Sequence, residues 1–332
     1  MRRKMDWITK MEKVRAVVRK ICALSIFICL FLSVNGQHNY LLLPTEGGDF
    51  KVTSYKLHTG NLYKSDFDVE TYNFIFPKTI EANEQVLLLS ILPDFSTGEL
   101  WQEITENWFD GKENVSAVIE REGVEINPYL ARERMNQKSF RAFTVVKKVS
   151  GRYYVAKNCL LERFQIKPDK TLIPTYYGQL GLNEHRKNIR TFCEEYQAVY
   201  PQNIGYPLPF SRNGWEYNSI DGARIWKEFL SKKVLLNSES DVFEGYQFWT
   251  CATLHSYGYY DSSAGVGRFI YVPTKGIVAS SYDFYFRNLP QAFRESLNNH
   301  LKPHHLSDEE WDQNVLNENL MLAEGFTLRQ VK

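Results

Sequence analysis

Cys251, His255 and Asp261 place a thiol, an imidazole and a carboxylate in one short stretch. Those are the ingredients of acyl transfer: a nucleophile, its base and a group to orient the base. The stretch itself is rich in aromatic and β-branched residues, which predicts a strand. Four residues along a strand span about 13 Å, although their side chains share a face. A nucleophile and its base need ~3 Å, so the spacing argues against the pair.

His300, His304 and His305, followed by Asp308 and Glu309, carry donor types that suit a divalent metal. Position offers a plainer account. His300 closes one helical pattern, where an imidazole suits the carbonyl end, and Asp308–Glu310 open the next, where acids suit the amide end. Neither a metal nor any other cofactor is expected.

Residues 255–269, HSYGYYDSSAGVGRF, are the most unusual segment of the chain. Tyr257, Tyr259 and Tyr260 alternate with small residues, and Gly258, Gly265 and Gly267 loosen the backbone. Gly265-x-Gly267 lacks the third glycine, the following helix and the βα context of a dinucleotide fingerprint. Tyrosine beside glycine and serine is, however, the chemistry of adaptable recognition loops. His255, Tyr257, Tyr259 and Tyr260 are therefore the candidate binding residues, with a protein or a glycan as ligand. The plainer alternative is a hairpin connection whose tyrosines pack on their own sheet.

Other groups read as surface. Asp94 with Glu99 and Glu103, and Glu194 with Glu195, have no context that would raise one acid beside an ionised partner. Asn114-Val115-Ser116 has the pattern of a glycosylation acceptor in a eukaryotic host. Cys159, Cys193 and Cys251 allow one bridge at most, between any two of the three. Three buried thiols is the simpler reading.

These residues must be positioned by elements, and the patterning predicts an α+β protein. Its N-terminal half reads as antiparallel and β-rich: strands at Phe50–His58, Thr71–Phe76, Gln85–Leu92, Cys159–Gln165 and Thr171–Tyr177. FRAFTVVKK and RYYVAKN, flanking Val149-Ser150-Gly151, predict a hairpin. A capping box at Ser96 and Glu99, with Leu100, Ile104 and Trp108 on one face, predicts a helix ending at Asp110-Gly111. Asn127-Pro128 predicts a short helix to about Gln137. The C-terminal half reads as mixed α/β. Helices are predicted over 184–199 and from Ser219 through Leu230, strands over Tyr246–Phe286 with a turn at Pro273–Gly276, and two closing helices. One of these starts at Pro290; the other is capped by Ser307 and Glu310 and stops at Gly325. The proline-rich connector 201–214 marks a division into residues 37–180 and 181–332, unless both form one continuous domain.

The first 36 residues set the compartment. A basic run (Arg2, Arg3, Lys4, Lys10, Lys13, Arg15, Arg19, Lys20) leads into apolar Ile21–Val34, then Asn35, Gly36 and Gln37. This is the order of a cleaved secretory signal, with Val34 and Gly36 at the −3 and −1 positions. The 14-residue apolar run falls short of the ~20 residues of a spanning helix. An uncleaved anchor is the competing reading and the only predicted contact with a membrane. Starting at Met11 gives a leader of more ordinary length.

Removing residues 1–36 takes away 8 basic and 2 acidic residues from totals of 40 and 39, leaving 32 against 37, a net charge of −5. That balance leaves no basic footprint for nucleic acid. Aromatic residues make up 14% of the chain, which suits a β-rich core and also ligand contact. The expectation is an exported (periplasmic or extracellular), non-enzymatic binding or interaction protein of the cell envelope or exterior. An exported hydrolase acting on glycan or peptide is the alternative.

Overall fold

In a computed structural model the described residues are 39–43, 50–65, 68–76, 86–93, 101–114, 138–140, 144–156, 159–167, 179–199, 228–239, 241–253, 264–282 and 306–329. They belong to one compact unit, Asn39–Lys332, and they are organised as three sheets.

The first sheet runs in the order β5 (Gln102–Ile104), β9 (Arg152–Ala156), β8 (Thr144–Val149), β1 (Asn39–Leu42), β6 (Glu113–Asn114). The expected hairpin is present as β8 and β9, closed by Ser150 at φ 50° and Gly151 at φ 81°. Two successive positive φ values match the twist of antiparallel strands, which is why a two-residue turn suffices.

The second sheet runs β11 (Gln179–Gly181), β10 (Cys159–Lys167), β4 (Val86–Pro93), β3 (Asp68–Phe76), β2 (Lys51–His58), with β7 (Lys138–Phe140) also on β10. The third runs β16 (Met321–Leu322), β15 (Gly276–Ser280), β14 (Ala264–Val272), β13 (Asp241–Thr253), β12 (Glu228–Ser238), β17 (Phe326–Leu328).

The period-two alternation of β3 joins the layers. Thr71 hydrogen-bonds to Tyr282, just past β15, and Asn73 to Ile277 within β15 of the third sheet. Tyr72, between them, points the other way and meets Trp101, next to β5, edge-to-face at 6.0 Å. Between the second and third sheets lies the main core, in which Leu57 and Val69 pack with Leu236, Trp249, Ile270, Trp311 and Val315. Ile75, Phe164, Phe248, Phe269 and Tyr271 form a neighbouring cluster.

Helix is scarce. Among the described residues there are three α-helices, Gly60–Tyr63, Ile189–Val199 and Asp308–Leu316, and one 3-10 turn, Glu106–Phe109. The fold is therefore strand-rich, which overturns the expected α+β class with a mixed α/β C-terminal half ending in two helices. Most of that half is the third sheet, and after Asp308–Leu316 the chain continues into β16 and β17. Gly325, expected to stop a helix, instead sits at φ 83° in the turn between those strands.

Two helix expectations are also corrected. Residues 102–104 pair with β9 instead of continuing a helix from Ser96, and Trp108 lies on the 3-10 turn. Phe229 and Leu230, expected on a helix from Ser219, are strand residues in register with Trp249 and Phe248. In both places an aromatic partner across the ladder outweighs local helical spacing: the Phe229 and Trp249 rings stack 4.4 Å apart. The predicted helices at 127–137 and from Pro290, strand 171–177 and connector 201–214 lie outside the described residues.

Candidate functional site

The predicted binding residues His255, Tyr257, Tyr259 and Tyr260 lie outside the described residues, as do Asp261, His300, His304 and His305. Their framework is visible. β13 and β14 pair antiparallel out to Thr253 and Ala264, so residues 254–263 connect neighbouring strands at one end of the third sheet. Gly265 and Gly267 belong to β14, where Gly267 faces Thr250; they line a ladder, not a phosphate loop. Cys251, in β13, faces Val266.

Cys193 is the one thiol whose surroundings are described. It is buried in the helix Ile189–Val199 and carries no disulfide, which removes the 159–193 and 193–251 pairings. Burial pushes its thiol up to about 12, so it is an inert core residue. Among the described residues no group of His, Cys, Asp or Glu could hold a metal. Glu310 forms the expected capping box with Ser307.

Among the described residues, the carboxylates whose titration moves all move down. Asp68 is held ionised by Lys56 at 2.7 Å and His58 at 2.6 Å. Glu244 accepts from Tyr246 at 2.5 Å and from Lys233 at 3.2 Å. Glu310 is lowered by Lys64. These are exposed ion pairs, the reverse of a proton-donating acid kept neutral by burial.

What the described residues bring together is aromatic rings and lysines on the two faces of the first sheet. The two-residue turn sets the register: Lys148 faces Tyr153 and Lys147 faces Tyr154. On the Tyr153 face, Phe109 meets Tyr153 at 4.9 Å and Tyr40 at 5.1 Å, while Trp108 meets Tyr40 at 5.9 Å and Phe109 at 5.3 Å. All four rings are half-buried. Lys112 lies 4.3 Å from the Trp108 ring centroid and Lys148 4.9 Å from that of Tyr153. Burial, with Tyr153 close by, raises the Tyr40 hydroxyl above its ordinary range.

On the opposite face, Lys147 Nζ lies 4.0 Å from the Trp101 ring centroid. The buried Trp101 indole N–H has no acceptor among the described residues. Tyr72, edge-on to Trp101, donates its hydroxyl to Glu70 Oε2 at 2.7 Å, and burial drives its ionisation far above the usual tyrosine range.

Sequence reading missed this sheet as a site, although a signal was present. Once Ser150-Gly151 is taken as a two-residue turn, Lys147-Lys148 and Tyr153-Tyr154 are forced into cross-strand lysine–tyrosine pairs. Trp101, Trp108 and Phe109 join them only through non-local contacts. No family model, curated protein or solved structure matches the chain.

Proposed function

We propose that this chain is an exported, non-enzymatic binding protein that takes a protein or glycan ligand on an aromatic surface. Export rests on the basic leader, the short apolar run Ile21–Val34 and the cleavage pattern before Gln37. The observation that carries the binding reading is the half-buried cluster of Tyr40, Trp108, Phe109 and Tyr153 with Lys112 and Lys148 at its rings. Rigid rings with polar edges give large contact area at low conformational cost, the property that concentrates binding energy in a few residues. The Tyr257–Tyr260 segment, with His255, is a second candidate on residue type alone.

The test is to map the N-terminal peptide of the natively expressed chain, then screen the processed protein against glycan and envelope-protein arrays. Trp108→Ala and the combined Tyr257→Ser, Tyr259→Ser, Tyr260→Ser variant are run beside it. The expected result is a chain starting at Gln37 whose capture of one ligand class is lost in at least one variant with little change in melting temperature. A chain that keeps its leader overturns export. A processed chain that cleaves the arrayed glycans or peptides moves it to the hydrolase reading.

A further inference from the structure

Two boundaries, one in the sequence and one in the fold, nearly coincide. The leader's cleavage pattern puts the cut between Gly36 and Gln37. The compact unit begins at Asn39, the first residue of β1. A cut at that place leaves only Gln37 and His38 ahead of the first strand.

The strand that follows is short and heavily used. β1 lies between β8 and β6, parallel to both, and among the described residues β6 joins the sheet only through it. Asn39 and Tyr40 are the residues that pair with β6. Tyr40 also belongs to the ring cluster with Trp108 and Phe109, and Leu41 behind it is fully buried. Chain ends are where proteolysis concentrates. An aminopeptidase that trimmed Gln37 through Tyr40 would detach β6 and take one ring out of the cluster.

We propose that Gln37 of the exported chain cyclises to pyroglutamate, a cap that guards β1 and its ring cluster from aminopeptidases. Cleavage turns the Gln37 nitrogen from an amide into an α-amine, which titrates close to neutral pH and so supplies a nucleophilic, uncharged fraction. That nitrogen attacks Cδ of its own side-chain carboxamide, and holding both groups in one residue makes the step unimolecular. A C–N bond forms, the Cδ–Nε2 bond breaks, and Nε2 takes the proton given up by the amine and leaves as ammonia. The product is a lactam whose nitrogen carries no charge, and no oxidant, reductant or co-reactant is consumed. The cap rests on the export reading, because only a cut before Gln37 frees this amine; it does not depend on which ligand the cluster takes.

The test maps the N-terminal peptide of the natively expressed chain by mass spectrometry. A heavy-isotope peptide of the Gln37–Tyr40 sequence, added at lysis, measures cyclisation during handling. The native terminus should start at Gln37 and be lighter by one ammonia, in a fraction several-fold above that of the added peptide. A lactam fraction no greater than the peptide's, or a start at a later residue, overturns the cap and leaves export standing. A retained leader overturns export and the cap together. The native chain is then incubated with a broad aminopeptidase, before and after removal of the cap by pyroglutamyl peptidase, beside Gln37→Ala, which cannot cyclise. The capped chain should keep its terminus, while the uncapped chain and the variant lose residues past Tyr40 several-fold faster. Trimming that stops at His38 in both would show that the sheet itself holds β1, and would overturn the guarding role.

Discussion

Asn73 does with a side chain what a strand does with its backbone. Its Oδ1 accepts from Ile277 N at 3.1 Å and its Nδ2 donates to Ile277 O at 3.2 Å and to Thr53 Oγ1 at 3.3 Å. The amide thus extends the third sheet across to β3 in the second. Thr53 and Tyr55 reinforce the joint by donating to the Lys275 carbonyl at 2.7 and 3.0 Å. Gly276 is required beside it: φ is +83°, and a Cβ there would come within 2.7 Å of the Asn73 side chain. Replacing Asn73 by Leu keeps the volume but strands the Ile277 N–H and C=O in a buried setting. Each such orphan costs about 1–3 kcal/mol, so Asn73→Leu should lower unfolding free energy by roughly 2–5 kcal/mol in urea titrations. A loss below about 1 kcal/mol would mean that water reaches the joint and replaces the amide.

At the scale of elements, two capping signatures in the sequence met different fates. Ser307 and Glu310 form a full box: Ser307 Oγ accepts from Glu310 N at 3.2 Å, and Glu310 Oε2 accepts from Ser307 N at 3.0 Å. Trp311 and Val315 then fall on the buried side. Ser307→Ala should cost about 1 kcal/mol and leave the aromatic near-ultraviolet signal intact; no measurable loss would show that packing of Trp311 and Val315 alone holds the helix. The signature at Ser96 and Glu99 does not extend a helix over 102–104, because those residues bond to β9 and Ile104 lies opposite Tyr153. Strands whose pairing partners are near in sequence, such as β8 and β9, were legible from turn chemistry. Phe229–Leu230 was not, since its strand character comes from Trp249 and Phe248 across the ladder. The lysine–tyrosine pairs of the first sheet were implicit in that hairpin, whereas their contact with Trp101 and Phe109 depended on tertiary placement. The helix Asp308–Leu316 ends where Glu318 takes a left-handed φ of 56°. Glycine usually fills that position. Here the Glu318 carboxylate is fixed by Ser231 Oγ at 2.6 Å and Ile189 N at 3.3 Å, a compensation that no local pattern announces.

Across the whole molecule, burial has been spent on groups that must stay protonated. Cys193, Tyr246 and Tyr271 are each raised to about 12, all three chiefly by desolvation, and Tyr72 is raised further. In the unfolded chain a thiol titrates near 8.5 and a phenol near 10. Between those values and about 12 the folded state holds more protons than the unfolded one, so unfolding free energy falls as pH rises. The sign is opposite for Asp68, Glu244 and Glu310, whose lowered values stabilise the fold above the ordinary carboxylate range and lose that effect as pH falls. Those three are exposed and screened, so the acid side should be shallow. The stability curve is therefore expected to be lopsided. It should fall only gently from pH 6 towards pH 4, begin to drop near pH 9 as the unfolded thiol ionises, and steepen above pH 10 with the tyrosines. Urea unfolding at closely spaced pH values, followed by tryptophan fluorescence, measures this directly. Cys193→Ala should remove the drop between pH 8.5 and 10 while leaving the steeper limb. A curve that stays level to pH 11 would mean that the layers between the sheets admit water freely, and the aromatic interiors described above would have to be redrawn as wet surfaces.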